Sequence, residues 1–207
     1  MGNLRHLFVF SISPVQPFIM QARKTEDSCS GSVILSEMCK SAFTELKALL
    51  SNTRIIFPAE NNESLPNRFL AVIENAEPEK IKDAAQKIER KIIADYVSQS
   101  CDLLTKKINQ SLPAGVKEQL ENYFSIKWAY ISYQATYAET YKKLEGLQGA
   151  AKNIRSFEQL EETGRKCSVC GERNVKFYRL SGETENNVKN ENGKLYSRDA
   201  AVFAEKE

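Results

Sequence analysis

The sequence lacks the residue patterns of several large enzyme classes. Its only histidine is His6, and a metal-dependent phosphohydrolase built on a His-Asp pair needs several histidines, so that activity is excluded. The chain also has no P-loop, no GxSxG element and no Ser/His/Asp set. These absences exclude P-loop nucleotide hydrolysis and the serine-hydrolase designs.

Long apolar runs and a cysteine framework are also missing. No run approaches the roughly 20 apolar residues of a transmembrane helix, so we expect no membrane association. The first residues lack the basic region, apolar run and cleavage site of a signal peptide. The five cysteines are unevenly spaced, unlike those of a secreted disulfide scaffold, and we therefore expect a reducing, cytoplasmic setting.

The composition that is present is that of an ordinary globular protein. The 207 residues suffice for one domain with a core plus an appendage. Hydrophobic residues make up 42% of the chain and charged residues 27%. The net charge of +2 does not indicate a general binder of polyanions.

The stretch Leu7–Lys24 predicts a strand that runs directly into a helix. Leu7–Phe10 is apolar, and Ser13 followed by Pro14 predicts a helix start with the serine as N-cap. Unpaired backbone N–H groups and the positive end of the helix dipole favour an anion at such a start. An ordinary strand, turn and well-capped helix without any ligand explains the same pattern.

Hydrophobic periodicity along the rest of the chain predicts the order β-α(α)-β-β-α-β. This is the α+β, ferredoxin-like (βαββαβ) arrangement, in which helices cover one face of a four-stranded sheet. The predicted strands are Leu7–Phe10, Arg54–Phe57, Arg68–Glu74 and Lys127–Gln134; the predicted helices are Pro14–Lys24, Val33–Leu50 after a polar break at Thr25–Ser32, a long helix from Pro78 that Pro113 ends, a turn at Gly115–Phe124, and Tyr137–Phe157.

The same arrangement forms the core of palm-type polymerases and nucleotide cyclases. Those enzymes hold two magnesium ions on carboxylates at the end of the first strand and in the next hairpin. This chain has Ser11 and Ser13 at the first position, and Glu60 and Glu63 lie in a loop without an adjacent acid pair. We therefore expect a palm domain over residues 1–136 that does not catalyse two-metal phosphoryl transfer by itself.

The segment CSVCGER contains two cysteines, Cys167 and Cys170, with the spacing of a zinc knuckle. Two thiolates two residues apart bind one tetrahedral zinc ion, and the following Gly171 allows the turn. A redox CxxC would need a strand before it and a helix starting at the first cysteine, whereas polar residues precede it and a hairpin strand follows. We interpret the pair as half of a zinc site, in a partial zinc-ribbon segment over residues 161–207, joined to the palm by a helical connector over 137–160.

Three blocks of the sequence, in order, resemble a known family. They are FSISPVQPFIMQARKTEDSCSGSVILS, the FP and LPNRFLA elements near Phe57 and Leu65, and the CxxCGER knuckle. Together they resemble the large subunit of type III-B CRISPR RAMP-module effector complexes, over most of the chain from Leu7 to about Arg173. Three positions depart from the pattern: Ser13, where the family usually has glycine, Pro17, where it commonly has an acid, and Cys29, where it has a bulky apolar or aromatic residue.

The resemblance implies a function for a longer protein of which this chain is the N-terminal part. Family members make cyclic oligoadenylate from ATP with a second palm when target RNA is bound, and the first palm helps to form the nucleotide pocket. The implied partners are the other RAMP-module subunits, guide RNA, target RNA and ATP, with zinc in the knuckle. The residues that match the nucleotide-facing block are Ser11, Ile12, Ser13, Val15 and Gln16.

Two other functions compete with this interpretation. A free-standing cyclase or polymerase would need acids at the end of the first strand, which the sequence lacks. A small zinc-ribbon protein that binds nucleic acid would need a complete set of zinc ligands within these residues, yet beyond Cys167 and Cys170 the sequence offers only His6, Cys29, Cys39 and Cys101.

Overall fold

A four-stranded antiparallel sheet organises the first of two units in the computed structural model. This unit comprises Met1–Ala94 and Phe124–Ser156, and the second comprises Asp95–Tyr123 and Phe157–Glu207. The structure describes residues 4–22, 24–60, 62–108, 111–133, 136–154, 163–168, 170–179, 188–190, 195–197 and 205–206.

The sheet has the strand order β2-β3-β1-β4, with every neighbouring pair antiparallel. This is the order of a split βαβ arrangement, so the predicted mixed fold around a four-stranded sheet is confirmed. The strands of the sheet are β1 (Arg5–Ser13), β2 (Thr53–Phe57), β3 (Arg68–Glu74) and β4 (Ser125–Ser132).

Five helices and four short strands complete the described part of the chain. None of these helices combines the length and the apolar character that a bilayer crossing requires. The helices are α1 (Gln16–Met20), α2 (Thr25–Leu49), α3 (Pro78–Ile108), α4 (Val116–Glu121) and α5 (Tyr137–Asn153); the short strands are β5 (Phe177–Arg179), β6 (Val188–Asn190), β7 (Leu195–Ser197) and β8 (Glu205–Lys206).

Strand β1 is longer than the prediction, which ended it at Phe10. Ser11, Ile12 and Ser13 continue the ladder with β4, opposite Lys127, Ile126 and Ser125. The two serines fit inside a strand because their hydroxyl groups donate to carbonyl oxygens of β4. A pattern that scores only apolar residues ends the strand too early at such positions.

The prediction that Ser13 caps a helix over Pro14–Lys24 is wrong. The helix begins at Gln16 with Val15 as N-cap, no side chain caps it, and it ends at Met20. Ser13 cannot cap this helix because it still belongs to β1, where its hydroxyl is bonded to β4.

The predicted polar break at Thr25–Ser32 is also wrong, since these residues form the first turns of α2. Ser30 stays within the helix by donating its hydroxyl to the Glu26 carbonyl oxygen over 2.9 Å. Gly31 is buried, and a Cβ atom there would lie 3.4 Å from a ring carbon of Phe18. The glycine therefore allows close packing of α1 on α2 instead of interrupting the helix.

Aromatic side chains form the core on one face of the sheet. Phe69 of β3 stacks on Phe10 of β1 with ring centroids 5.0 Å apart, and Phe43 of α2 meets Phe69 edge-on. All three of the strand aromatics, Phe8, Phe10 and Phe69, are fully buried. Burial of such large rings contributes much of the hydrophobic stabilisation of a domain this size.

Helix α5 covers part of the opposite face, although the sequence analysis assigned residues 137–160 to a connector. Leu144 is fully buried there in a cluster with Leu7, Val9, Leu70 and Val72. The carboxylate of Glu145 also pairs with the guanidinium of Arg68 on β3. Thr136 and Glu139 form a reciprocal capping box that defines where this helix begins.

The second unit contains a small core of its own. Val116 of α4 and Phe177 of β5 are buried together, with Leu104, Leu112 and Leu120 packed against them. Much of the segment predicted as a partial zinc ribbon, including residues 180–187 and 191–194, lies outside the described residues. The structure therefore describes a hairpin around the cysteine pair but does not define a zinc ribbon.

His6 is the buried polar group of β1 that has no hydrogen-bond partner among the described residues. Its side chain is fully buried, neither ring nitrogen is bonded, and the ring of Tyr130 meets it edge-on with centroids 6.0 Å apart. Burial lowers the pKa of His6 below its usual value, and the nearby Glu77 carboxylate opposes this only in part.

Protonation of His6 should therefore destabilise the fold. The unfolded chain takes up this proton near pH 6.5 and the folded chain resists it, so the free energy of unfolding should fall as the pH drops below 6.5. In a His6→Phe variant, whose ring can pack against Tyr130, this part of the pH dependence should disappear. Urea unfolding between pH 5.5 and 7.5 measures the slope, and equal slopes for the two proteins would contradict the prediction.

Candidate functional site at the end of strand β1

Two serine hydroxyl groups line the end of β1. Ser11 donates its Oγ hydrogen to the Lys127 carbonyl oxygen over 3.4 Å, and Ser13 donates to the Ser125 carbonyl oxygen over 3.2 Å. Both acceptors belong to β4 and stand opposite the serines in the ladder. The hydroxyls therefore strengthen the pairing of two strands at the position where the resemblance places the nucleotide-facing block.

Gln148 of α5 completes this polar cluster from the other side. Its Nε2 group donates to Ser11 Oγ over 2.6 Å and to the Lys127 carbonyl oxygen over 3.4 Å. The side chain is buried, and its Oε1 atom has no partner among the described residues. Sequence reasoning missed Gln148, although a polar residue four positions after Leu144, on the buried stripe of α5, was the available signal.

Asn67 holds the same end of β1 from the β3 side. The Ile12 N–H group donates to the Asn67 carbonyl oxygen, and the Asn67 side-chain amide donates to the Ile12 carbonyl oxygen, each over 2.9 Å. The ladder between β1 and β3 ends at the pair Ser11 and Arg68, one residue before Ile12. Asn67 thus extends the ladder by one residue and satisfies both backbone groups of Ile12.

The five residues predicted to face a nucleotide lie at different depths. Ser11 and Ile12 are buried, Ser13 and Val15 are half-buried, and Gln16 is exposed. Ser13, Val15 and Gln16 are therefore accessible to a ligand. The buried Ser11 and Ile12 can affect a ligand by positioning these three residues.

The helix start that could favour an anion differs from the expected one. A helix over Pro14–Lys24 was expected, but α1 has five residues and begins at Gln16. Pro17 in its first turn carries no N–H group, which removes one of the donors that such a site would use.

Two carboxylates of the first unit, Glu60 and Glu145, are engaged in ion pairs. Glu60 receives a hydrogen bond from Lys47 over 2.8 Å, which lowers the pKa of this carboxyl group, and Glu145 is paired with Arg68. Within the described ranges, no group of three or more His, Cys, Asp or Glu side chains could hold a metal ion.

The cysteine pair lies in a tight turn of the second unit. The Gly171 N–H group donates to the Cys167 carbonyl oxygen over 2.8 Å, and the Cys170 N–H group donates to the Cys167 sulfur over 3.4 Å. Gly171 has φ of +71°, a conformation that glycine adopts without strain. Backbone pairing of Cys167 with Arg173 closes the hairpin.

The surroundings of Cys170 favour its thiolate form. Burial raises the pKa of the Cys170 thiol, but hydrogen bonds from the Arg173 and Glu172 backbone and from Cys167 outweigh it, so that the pKa lies below its usual value. Thiolates held by backbone N–H groups are the ligands that zinc uses. No helix begins at Cys167, as a redox CxxC would require; strand β5 follows at Phe177 instead.

A family model described as CRISPR-associated protein Cmr2, N-terminal, matches residues 7–122. The match covers more than half of the chain and places it in the class of N-terminal regions of type III CRISPR large subunits. In particular, the chain belongs to the Cmr2 N-terminal family, as the first two of the three sequence blocks had indicated. No match was found among curated proteins.

The comparison with solved structures finds chains of Csm1. The chain is 16% identical to a Csm1–Csm4 cassette in complex with pppApApA, covering 89% of this chain and 23% of that chain with a TM-score of 0.49. It is 17% identical to Csm1 in T. onnurineus, covering 76% of this chain and 20% of that chain with a TM-score of 0.43. The chain thus spans about a fifth of the length of these structures' chains.

Gln148→Glu should destabilise the first unit because it places a carboxylate against Ser11 Oγ and the Lys127 carbonyl oxygen. We expect a loss of roughly 2–4 kcal/mol at pH 7 that shrinks as the pH falls, since burial raises the pKa of such a carboxyl group in the folded state. Denaturant unfolding measures it, with Gln99→Glu at an exposed position of α3 as the matched control. Equal effects of the two substitutions would show that the Gln148 position is open to water.

Cobalt(II), which reports on thiolate ligands through its charge-transfer absorption, tests the cysteine pair. Because the described residues supply two ligands, we expect binding by the 207-residue chain, roughly micromolar or weaker, that Cys167→Ser abolishes. Cys29→Ser, at an exposed cysteine in α2, is the control and should change nothing. Identical spectra for chains with and without Cys167 would exclude the proposed half-site.

Proposed function

We propose that this chain is the first palm module of a type III-B CRISPR large subunit, and that it supports nucleotide binding without catalysing phosphoryl transfer itself. In the longer protein it would face the second palm and help to hold ATP for cyclic oligoadenylate synthesis. It would also dock the neighbouring RAMP-module subunits around guide and target RNA in the cytoplasm. Family membership and the strand order of the sheet support the module. The turn that holds the cysteine pair of the second unit supports a zinc half-site there.

The non-catalytic role is supported by the hydrogen bonding of Ser11 and Ser13. They occupy the end of β1, where two-metal enzymes built on this fold place a carboxylate, and their hydroxyls are bonded to carbonyl oxygens of β4. A neutral hydroxyl engaged in this way offers Mg²⁺ neither the charge nor the free oxygen that a catalytic carboxylate supplies.

The proposed nucleotide contact is made by the exposed part of the same segment. Gln16 is exposed, and its side-chain amide can donate and accept hydrogen bonds. Ser13 and Val15 lie beside it, while Asn67 and Gln148 hold the strand end in place from both sides. The contact therefore rests on a rigid support, which keeps the ordering cost of binding low.

Photolabelling with 8-azido-ATP tests this assignment in the 207-residue chain. We expect the label in the peptide containing Ser13 and Gln16, with yields reduced roughly five-fold by Gln16→Ala, as fits the loss of one hydrogen bond of about 1 kcal/mol. The control is Gln99→Ala, which removes the same type of side chain from an exposed position of α3. This variant should be labelled as strongly as the unaltered chain. Labelling elsewhere, unchanged by Gln16→Ala, would contradict the nucleotide contact.

The same preparations, incubated with ATP and Mg²⁺ or Mn²⁺ with and without RNA, test the non-catalytic role. Mass spectrometry should detect no oligoadenylate in any of them. Product formed by the purified chain would refute this part of the proposal and leave the labelling result unaffected.

A further inference from the structure

The two edge strands of the sheet in the first unit are built differently. At one edge, β2 has five residues, an irregular ladder between Ile55 and Phe57, an exposed Arg54, and Pro58 directly after it. Features of this kind protect an edge strand from pairing with another chain. At the other edge, β4 has eight residues, no proline or glycine, Lys127 as its one charged residue, and an uninterrupted ladder with β1. Strand β4 therefore lacks the protection that β2 has.

The backbone groups on the outer edge of β4 belong to every second residue. The Tyr133 N–H group donates to the Arg5 carbonyl oxygen over 2.9 Å, in the same register as the ladder between β1 and β4. In an antiparallel ladder, residues bonded to the neighbouring strand alternate with residues whose N–H and C=O groups point away from it. Of the strands that the structure describes, none pairs with this outer edge. The residues whose backbone groups point outwards are Ile126, Trp128, Tyr130 and Ser132.

The side chains along this edge are ordered and partly accessible. Trp128 and Tyr130, which alternate with the residues facing α5, are both half-buried. The Trp128 Nε1 group donates to the Glu89 carboxylate over 2.9 Å, which fixes the orientation of the indole ring. On the other face, Ala129 and Ile131 pack against the cluster beneath α5 and are also half-buried. A strand added at this edge would thus meet aromatic rings on one face and aliphatic groups on the other.

We propose that β4 pairs with β4 of a second copy of this chain, antiparallel, about a two-fold axis at Ala129. In this register Trp128 lies opposite Tyr130 of the second copy, and Ile126 lies opposite Ser132 of the second copy. Each of the four outward residues then gains a backbone partner. Because a two-fold contact uses the same surface twice, both copies are satisfied together.

Two features of the strand favour a second copy as the occupant. Trp128 and Tyr130 form cross-strand aromatic pairs on both sides of the axis, and such pairs stabilise antiparallel strands. Lys127 lies opposite Ile131 of the second copy, so that no like charges face each other directly. An unrelated strand would need a matching sequence of its own, whereas a second copy supplies the match by symmetry. The proposal depends on the sheet edge alone and is independent of the nucleotide contact at the end of β1.

Sedimentation analysis of the 207-residue chain tests whether it associates. Because edge pairing alone makes a small interface, we expect weak association, with the average mass rising from that of the monomer towards twice that value between roughly 1 and 300 µM chain. A mass that stays at the monomer value over this range would overturn the proposal and leave the edge to a strand of a different protein.

Charged substitutions at the axis test the register. Ala129→Lys places two positive charges directly opposite each other, and Ala129→Glu places two negative charges there, so each variant alone should associate roughly ten-fold more weakly or worse. An equal mixture of the two variants should associate at least as well as the unaltered chain. The control is Ile56→Lys, which adds the same charge beside the same core cluster at β2 and should leave association unchanged. Association that persists in both Ala129 variants would overturn the proposal.

Ser132→Pro tests the outer backbone groups without a charge. Proline there removes an outward N–H group and leaves the ladder with β1 intact, and Ser132 is exposed. Association should weaken by roughly five-fold, since two hydrogen bonds are lost per dimer. This variant remains informative if the Ala129 variants fail to fold, and an unchanged association constant would then overturn the proposal.

Discussion

The structure of the first unit depends on the burial of β1 from every side. This strand is paired with β3 along one edge and with β4 along the other, so it has no free edge. One of its faces lies under the aromatic cluster around Phe69, and the other lies under Leu144 of α5. A central strand enclosed in this way must satisfy every polar group internally, because water cannot reach them.

This constraint explains the chemistry at the end of the strand. Ser11 is bonded to Gln148 and to β4, and both backbone groups of Ile12 are bonded to Asn67. At this end of the strand, the residues from Ser13 to Gln16 reach the surface. The proposed non-catalytic role fits a strand end that is held in place from both sides and that carries hydroxyls and an amide instead of carboxylates. His6 is the exception to internal satisfaction, and its buried ring makes the fold sensitive to acid.

The second unit shows how one tight turn sets the surroundings of a cysteine pair. The turn at Cys167–Gly171 reverses the backbone, so basic residues that are separated along the sequence become neighbours across the hairpin. The same turn directs backbone N–H groups towards the Cys170 sulfur and favours its thiolate. The geometry expected of a metal-binding turn therefore comes from the backbone of one short segment.

The sequence by itself determined the order of the elements, the family and the cysteine turn. Strand β3 was predicted over Arg68–Glu74, as observed, because its apolar run ends in sharp polar boundaries. The sequence analysis was wrong about the length of β1, the start of α1 and the continuity of α2 through Gly31. The serines of β1 stay in the strand because they bond to β4 carbonyl oxygens, and Gly31 stays in α2 because it packs against Phe18. Only the tertiary structure decided that Gln148 and Asn67 belong to the candidate site and that α5 covers the sheet. Hydrogen bonds between residues more than 50 positions apart produce no periodic pattern in the sequence from which they could be predicted.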